Sequence, residues 1–131
     1  MKKDIEIPVV KDVSIAMVYE WDDEFSGQNW NAYIINNKTM AIDMVLIVSK
    51  GYDEDRKTTT MRHSLGTITA KSYAKIELVQ DDVLQLNNAF YVTFFANGKL
   101  FEKNYIFEKN SISENNVTFI PILEKEAVLV E

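Results

Sequence analysis

Asn97-Gly98 stands between two runs of alternating residues, AFYVTFFA at 89–96 and KLFEKNYIFE at 99–108. Nothing else in the chain constrains the fold as tightly. A two-residue Asn-Gly connection favours a type I′ turn, whose left-handed residues match the twist of the flanking strands. The turn also sets a register in which Ala96 faces Lys99, Phe95 faces Leu100, Phe94 faces Phe101 and Val92 faces Lys103. Strand side chains alternate between faces. One face therefore gathers Phe90, Val92, Phe94, Phe101, Lys103 and Tyr105. The other gathers Tyr91, Thr93, Phe95, Leu100, Glu102, Asn104 and Ile106. Tyr91, Phe95, Leu100 and Ile106 cannot share one core with Phe94 and Phe101. One set needs a cover of its own: a loop, a second subunit or a partner.

The strand period continues through the chain. VSIAMVYE, 13–20, puts Val13, Ile15, Met17 and Tyr19 on one face. WNAYIIN, 30–36, is apolar on both faces, as expected of a central strand with extra cover. A third strand spans about Met40 to Lys50, with Met40, Ile42, Met44, Leu46 and Val48 as one uninterrupted apolar face and Gly51 at its end. TTTMRHS, 58–64, reads as the fourth strand, broken by Gly66. YAKIELVQ, 73–80, reads as the fifth, with Ala74, Ile76, Leu78 and Gln80 on one face and Tyr73, Lys75, Glu77 and Val79 on the other. NSISENN, 110–116, is a loop or a short helical turn. VTFIPIL, 117–123, is a strand that Pro121 confines to an edge or bulge, and AVLVE, 127–131, is the last strand. No stretch shows the period of an amphipathic helix. The expected fold is all-β: a two-sheet antiparallel sandwich, immunoglobulin-like or fibronectin-type, of seven to nine strands. A jelly roll or small barrel is the alternative. Residues 1–131 are expected to form one domain, with 1–12 a peripheral N-terminal arm.

Composition narrows the partners. The chain has 131 residues, a formal net charge of -6 and no cysteine. Disulfides, thiolate metal sites and cysteine nucleophiles are thereby excluded. Asp4, Glu6, Lys11 and Asp12 interrupt the apolar residues near the N-terminus, so no secretory signal is expected there. The longest apolar run, Met44 to Val48, is strand-sized. These features predict a cytoplasmic protein with no membrane segment. The negative charge would repel a phosphate backbone, and no arginine-rich stripe reverses it, so no nucleic-acid partner is expected.

The segment GYDEDRKTTTMRHS, 51–64, holds both arginines, Arg56 and Arg62, and the lone histidine, His63. Arg62 and His63 together suggest acid–base or anion chemistry. Adjacent strand residues face opposite ways, however, and no G-x-S-x-G elbow is present. The simpler expectation is that His63 donates to a backbone carbonyl at a sheet margin and Arg62 pairs with Glu77 or Asp55. In an antiparallel sandwich alternate connections share an end, which would bring Asp22, Asp23 and Glu24 towards Asp53, Glu54 and Asp55. Such carboxylates could hold calcium, although Asp is also common in turns for local backbone reasons. Trp21 and Tyr52 could stack on a sugar. The favoured function is a non-catalytic module for protein–protein interaction or self-association, using Tyr91, Phe95 and Leu100 with Arg62 and His63 as polar specificity elements. The alternative is a small-ligand or carbohydrate-binding module, calcium-assisted through Asp22, Asp23, Asp53 and Asp55. An enzyme using Arg62 and His63 is the third reading. Calcium aside, no cofactor is expected.

Overall fold

The Asn97-Gly98 turn has positive φ at both residues, 53° and 73°, as a type I′ turn requires. The strands it joins pair in the register set by the sequence, with Phe95 opposite Leu100 and Phe94 opposite Phe101. A Cβ at position 98 would meet nothing, so a substitution there tests the backbone alone. Gly98→Ala is expected to lower stability by about 1 kcal/mol, because a left-handed residue with a Cβ is strained. The check is a lower urea midpoint at unchanged slope.

A computed structural model describes residues 8–131, and the first part of the expected N-terminal arm, 1–7, lies outside them. The nine strands are β1 (Val13–Trp21), β2 (Gln28–Asn36), β3 (Ile42–Tyr52), β4 (Met61–Ile68), β5 (Ser72–Val79), β6 (Asn87–Ala96), β7 (Lys99–Phe107), β8 (Thr118–Ile120) and β9 (Lys125–Val130). They form two antiparallel sheets, β5-β2-β1-β9-β8 and β4-β3-β6-β7. This is the sandwich architecture of immunoglobulin- and fibronectin-type folds. Single 3-10 turns at Asp81–Val83 and Glu114–Asn116 occupy two connections.

The main core lies between the sheets. Ile15, Met17 and Ile34 of the five-stranded sheet meet Ile47, Phe90, Phe94 and Phe107 of the other. Tyr105 completes it: its buried hydroxyl crosses from β7 to donate to the Val13 carbonyl at 2.6 Å. Val10, just before β1, packs against the same core. A second cluster lies on the outer side of the five-stranded sheet, where Ile120, Leu123 and Ala127 cover Ala16, Val18 and Ile35. The β8–β9 hairpin thus supplies the extra cover that the two apolar faces of β2 demand.

Four local expectations are corrected. The third strand runs from Ile42 to Tyr52, and its apolar face is interrupted. Its pairing shifts around Val45, and Met44 takes a φ of 50°. Ile42, Val45 and Ile47 are therefore buried, while Met44 and Leu46 face outward. Gly66 does not break the fourth strand; it lies within β4 at a φ of 69°, opposite Val45 at the shifted pairing. Thr58, Thr59 and Thr60 precede that strand. In β5, Ala32 pairs with Glu77 but Tyr33 with Lys75, which leaves Ile76 as the extra residue of a bulge. The alternation inverts there, burying Val79 and exposing Leu78. The strand expected over 117–123 ends at Ile120, because the chain turns at Pro121 and Glu124 N–H bonds back to the Ile120 carbonyl at 2.9 Å.

Candidate functional site

The outer face of the four-stranded sheet is built in rows that cross its strands. Arg62 lies opposite Val48, Val48 opposite Tyr91, and Tyr91 opposite Asn104. The next row runs Ser64, Leu46, Thr93 and Glu102. Beyond it, Asp43 is paired with Phe95 and Phe95 with Leu100. Period-two alternation places these side chains together once Phe90, Val92 and Phe94 have turned inward. Met44, Leu46, Tyr91, Phe95, Leu100 and Ile106 are all exposed, from 38% for Phe95 to 70% for Met44. A shallow groove of about 590 Å³ runs between Met44, Leu46, Thr93 and Phe95. The charge of Glu102 pushes the Tyr91 phenol above its ordinary pKa, so the hydroxyl remains a donor. Sequence reasoning found Tyr91, Phe95 and Leu100 but placed Met44 and Leu46 in a strand with one continuous apolar face. Only the irregularity of β3 brings them beside Phe95.

Arg62 and His63 separate. Arg62 shares the outer row with Tyr91, whereas His63 pairs with Ile47 and turns towards the other sheet. Its Nε2 lies 2.6 Å from Oε1 of Glu77, on β5. The same carboxylate oxygen accepts from Ser49 Oγ at 2.7 Å. The β5 bulge lets Glu77 make both contacts. The expected bond from His63 to a backbone carbonyl is therefore replaced by an ion-pair geometry with Glu77, which is occupied by His63 and not by Arg62. The three side chains join the two sheets across their open seam. They do not form a nucleophile–base–acid relay, because the carboxylate stands between the hydroxyl and the imidazole. Ser49 is also buried.

The acidic loops hold themselves. Asp22 accepts from the Ser26 amide at 2.9 Å and the Ser26 hydroxyl at 2.6 Å. Asp53 accepts from the Arg56 guanidinium at 2.8 Å and from the Asp55 and Arg56 amides, which hold its carboxyl down at about 2. Lys109 of the β7–β8 connection bonds Glu54 at 3.2 Å, so two of the loops expected at one end do meet. Asp23 and Asp55 add no ligand set: among the described residues, no three His, Asp or Glu side chains are grouped to hold a metal ion. Trp21 and Tyr52 line separate grooves, the first beside Phe25 and Lys125, the second beside Asp53 and Arg56. The Tyr52 ring carries the Lys50 ammonium 5.6 Å from its centre.

No protein-family model, curated protein or solved structure matches the chain. Among the described residues, no helix is long and apolar enough to cross a membrane.

Proposed function

We propose that this chain is a non-catalytic β-sandwich that docks another protein through the outer face of its four-stranded sheet. The observation that carries the reading is a contrast between the two outer faces. Ala16, Val18 and Ile35 on the five-stranded sheet are covered by the protein's own Ile120 and Leu123. Tyr91, Phe95, Leu100 and Leu46 on the four-stranded sheet stay exposed with no described segment over them. Aromatic and aliphatic side chains held on rigid strands suit a docking surface, because little side-chain freedom is lost when they are buried. Charged groups stand at the margins of the apolar centre, as at a polar rim.

Site-specific cross-linking tests this reading. A photoactivatable phenylalanine analogue at position 95 should give cross-links to protein. The same analogue in place of Phe119, which is more exposed and lies on the edge strand β8, should give few. Equal yields at the two positions, or none at position 95, would overturn the proposal.

A further inference from the structure

We infer that the occupant of this face is a second copy of the chain, packed face to face about a two-fold axis parallel to the strands. The inference rests on the docking reading above and goes beyond it by fixing the partner and the geometry. Two sheets that pack through one patch of each copy make an isologous contact, in which every pair occurs twice. Only two in-plane directions of the axis keep the strands roughly aligned. The charges on the face decide between them.

Arg62 stands on one edge strand, β4, and Glu102 on the other, β7. They lie in neighbouring rows, about 14 Å apart across the sheet at ordinary strand spacing. An axis perpendicular to the strands lays β4 over β4 and β7 over β7. It brings Arg62 towards Arg62 and Glu102 towards Glu102. An axis parallel to the strands lays β4 over β7, and each Arg62 then faces the strand that carries the partner's Glu102. The one-row offset is about 7 Å, within reach of an arginine side chain. Asp43, the acid that lines the groove, already accepts from the Thr67 hydroxyl at 3.1 Å.

The same axis lays β3 over the partner's β6. Leu46 then faces the partner's Thr93, and Val48 its Tyr91. Met44, turned out by the β3 irregularity, comes beside the partner's Phe95, a favourable thioether–aromatic contact. The apolar centre is matched with itself, and the two charged margins are matched with each other. Four strands by four rows cover roughly 500 Å² per copy at standard spacings. The total falls near the lower limit for a specific interface. The dimer should therefore dissociate on dilution through the micromolar range.

The experiment is light scattering over a concentration series at about 0.15 M salt, where the repulsion between two copies of charge -6 is screened. Wild type should pass from monomer to dimer. Arg62→Glu and Glu102→Arg should each weaken the dimer about tenfold, and the double variant R62E/E102R should restore it to within about threefold. Both positions are exposed, and equal thermal midpoints will show that the fold is kept. A wild type that stays monomeric at every concentration overturns the inference, and cross-links from position 95 to a different protein would then leave the docking reading standing. A dimer unaffected by either single reversal, or not restored by the double variant, overturns the two-fold geometry. Absence of any cross-link from position 95 overturns both.

Discussion

Phe90→Ala should cost about 3–5 kcal/mol, the range for removing a large aromatic side chain from a close-packed core. Phe90 is 1% exposed and lies edge-on to Phe107, with ring centres 5.9 Å apart and planes at 84°. Its strand neighbours at that position are Ser49 and Tyr105, both buried and both committed to hydrogen bonds, so the site cannot readily collapse around the lost ring. Domains of this kind are stable by about 5–15 kcal/mol, so the loss is a large share of the total. The control sits five residues on, on the opposite face of the same strand. Phe95→Ala should cost less than about 1 kcal/mol in dilute monomer, because surface truncations leave no cavity. Urea midpoints at unchanged slope measure both. Equal losses for the two variants would mean that the outer face is buried in the folded monomer, and the docking reading would fall with that result.

The sequence made the β6–β7 hairpin legible because every cue there agrees. The turn residues tolerate positive φ, the flanks alternate, and the register follows from the turn length. Covering the second apolar face of β2 was legible as a need, although not as the work of Ile120 and Leu123, which lie some ninety residues away. The bulges were not legible. Met44 adopts a positive φ without being Gly, Asn or Asp, so no residue type announces it. The Ile76 bulge likewise has no glycine to mark it, and its consequence reaches furthest. It turns Glu77, assigned by strict alternation to the same face as Tyr73 and Lys75, towards Ser49 and His63. A contact between two edge strands of different sheets cannot be read from periodicity, because it depends on which strands become edges. Tyr91, Phe95 and Leu100 could be grouped because they lie on one hairpin. Arg62 joins them through two further strand pairings that the sequence does not specify.

Glu20→Gln should lower stability by about 1–3 kcal/mol at neutral pH, and the deficit should shrink on acidification. Glu20 is the hub of a polar cluster on the outer side of the five-stranded sheet. Its Oε2 accepts from Asn31 Nδ2 at 2.8 Å and from the Tyr33 hydroxyl at 2.6 Å. Its Oε1 accepts from Lys125 Nζ at 2.6 Å. Asn31 is buried, its Oδ1 has no partner, and Glu20 is its side-chain tie to the rest of the described protein. A glutamine offers one acceptor oxygen and adds an amide donor where three donors already converge. Burial by itself would raise the Glu20 carboxyl, but the Lys125, Tyr33 and Asn31 hydrogen bonds outweigh it and hold the pKa below its ordinary value. Burial, and then the hydrogen bond to Glu20, pushes the Tyr33 phenol up, so that partner stays a donor. A folded-state pKa below the unfolded one stabilises the fold above the unfolded value, and the contribution is lost as pH falls through the folded value. Wild type should therefore lose stability steeply between about pH 5 and pH 3, while E20Q, which has no proton to take up at this position, should fall less. Comparing the two proteins cancels the lowered carboxyls of Asp22, Asp53 and Glu54, which both retain. The measurement is the urea midpoint of each across that range. A gap between wild type and E20Q that stays as wide at the acid end as at neutral pH would show that the charge of Glu20 does not stabilise the sheet.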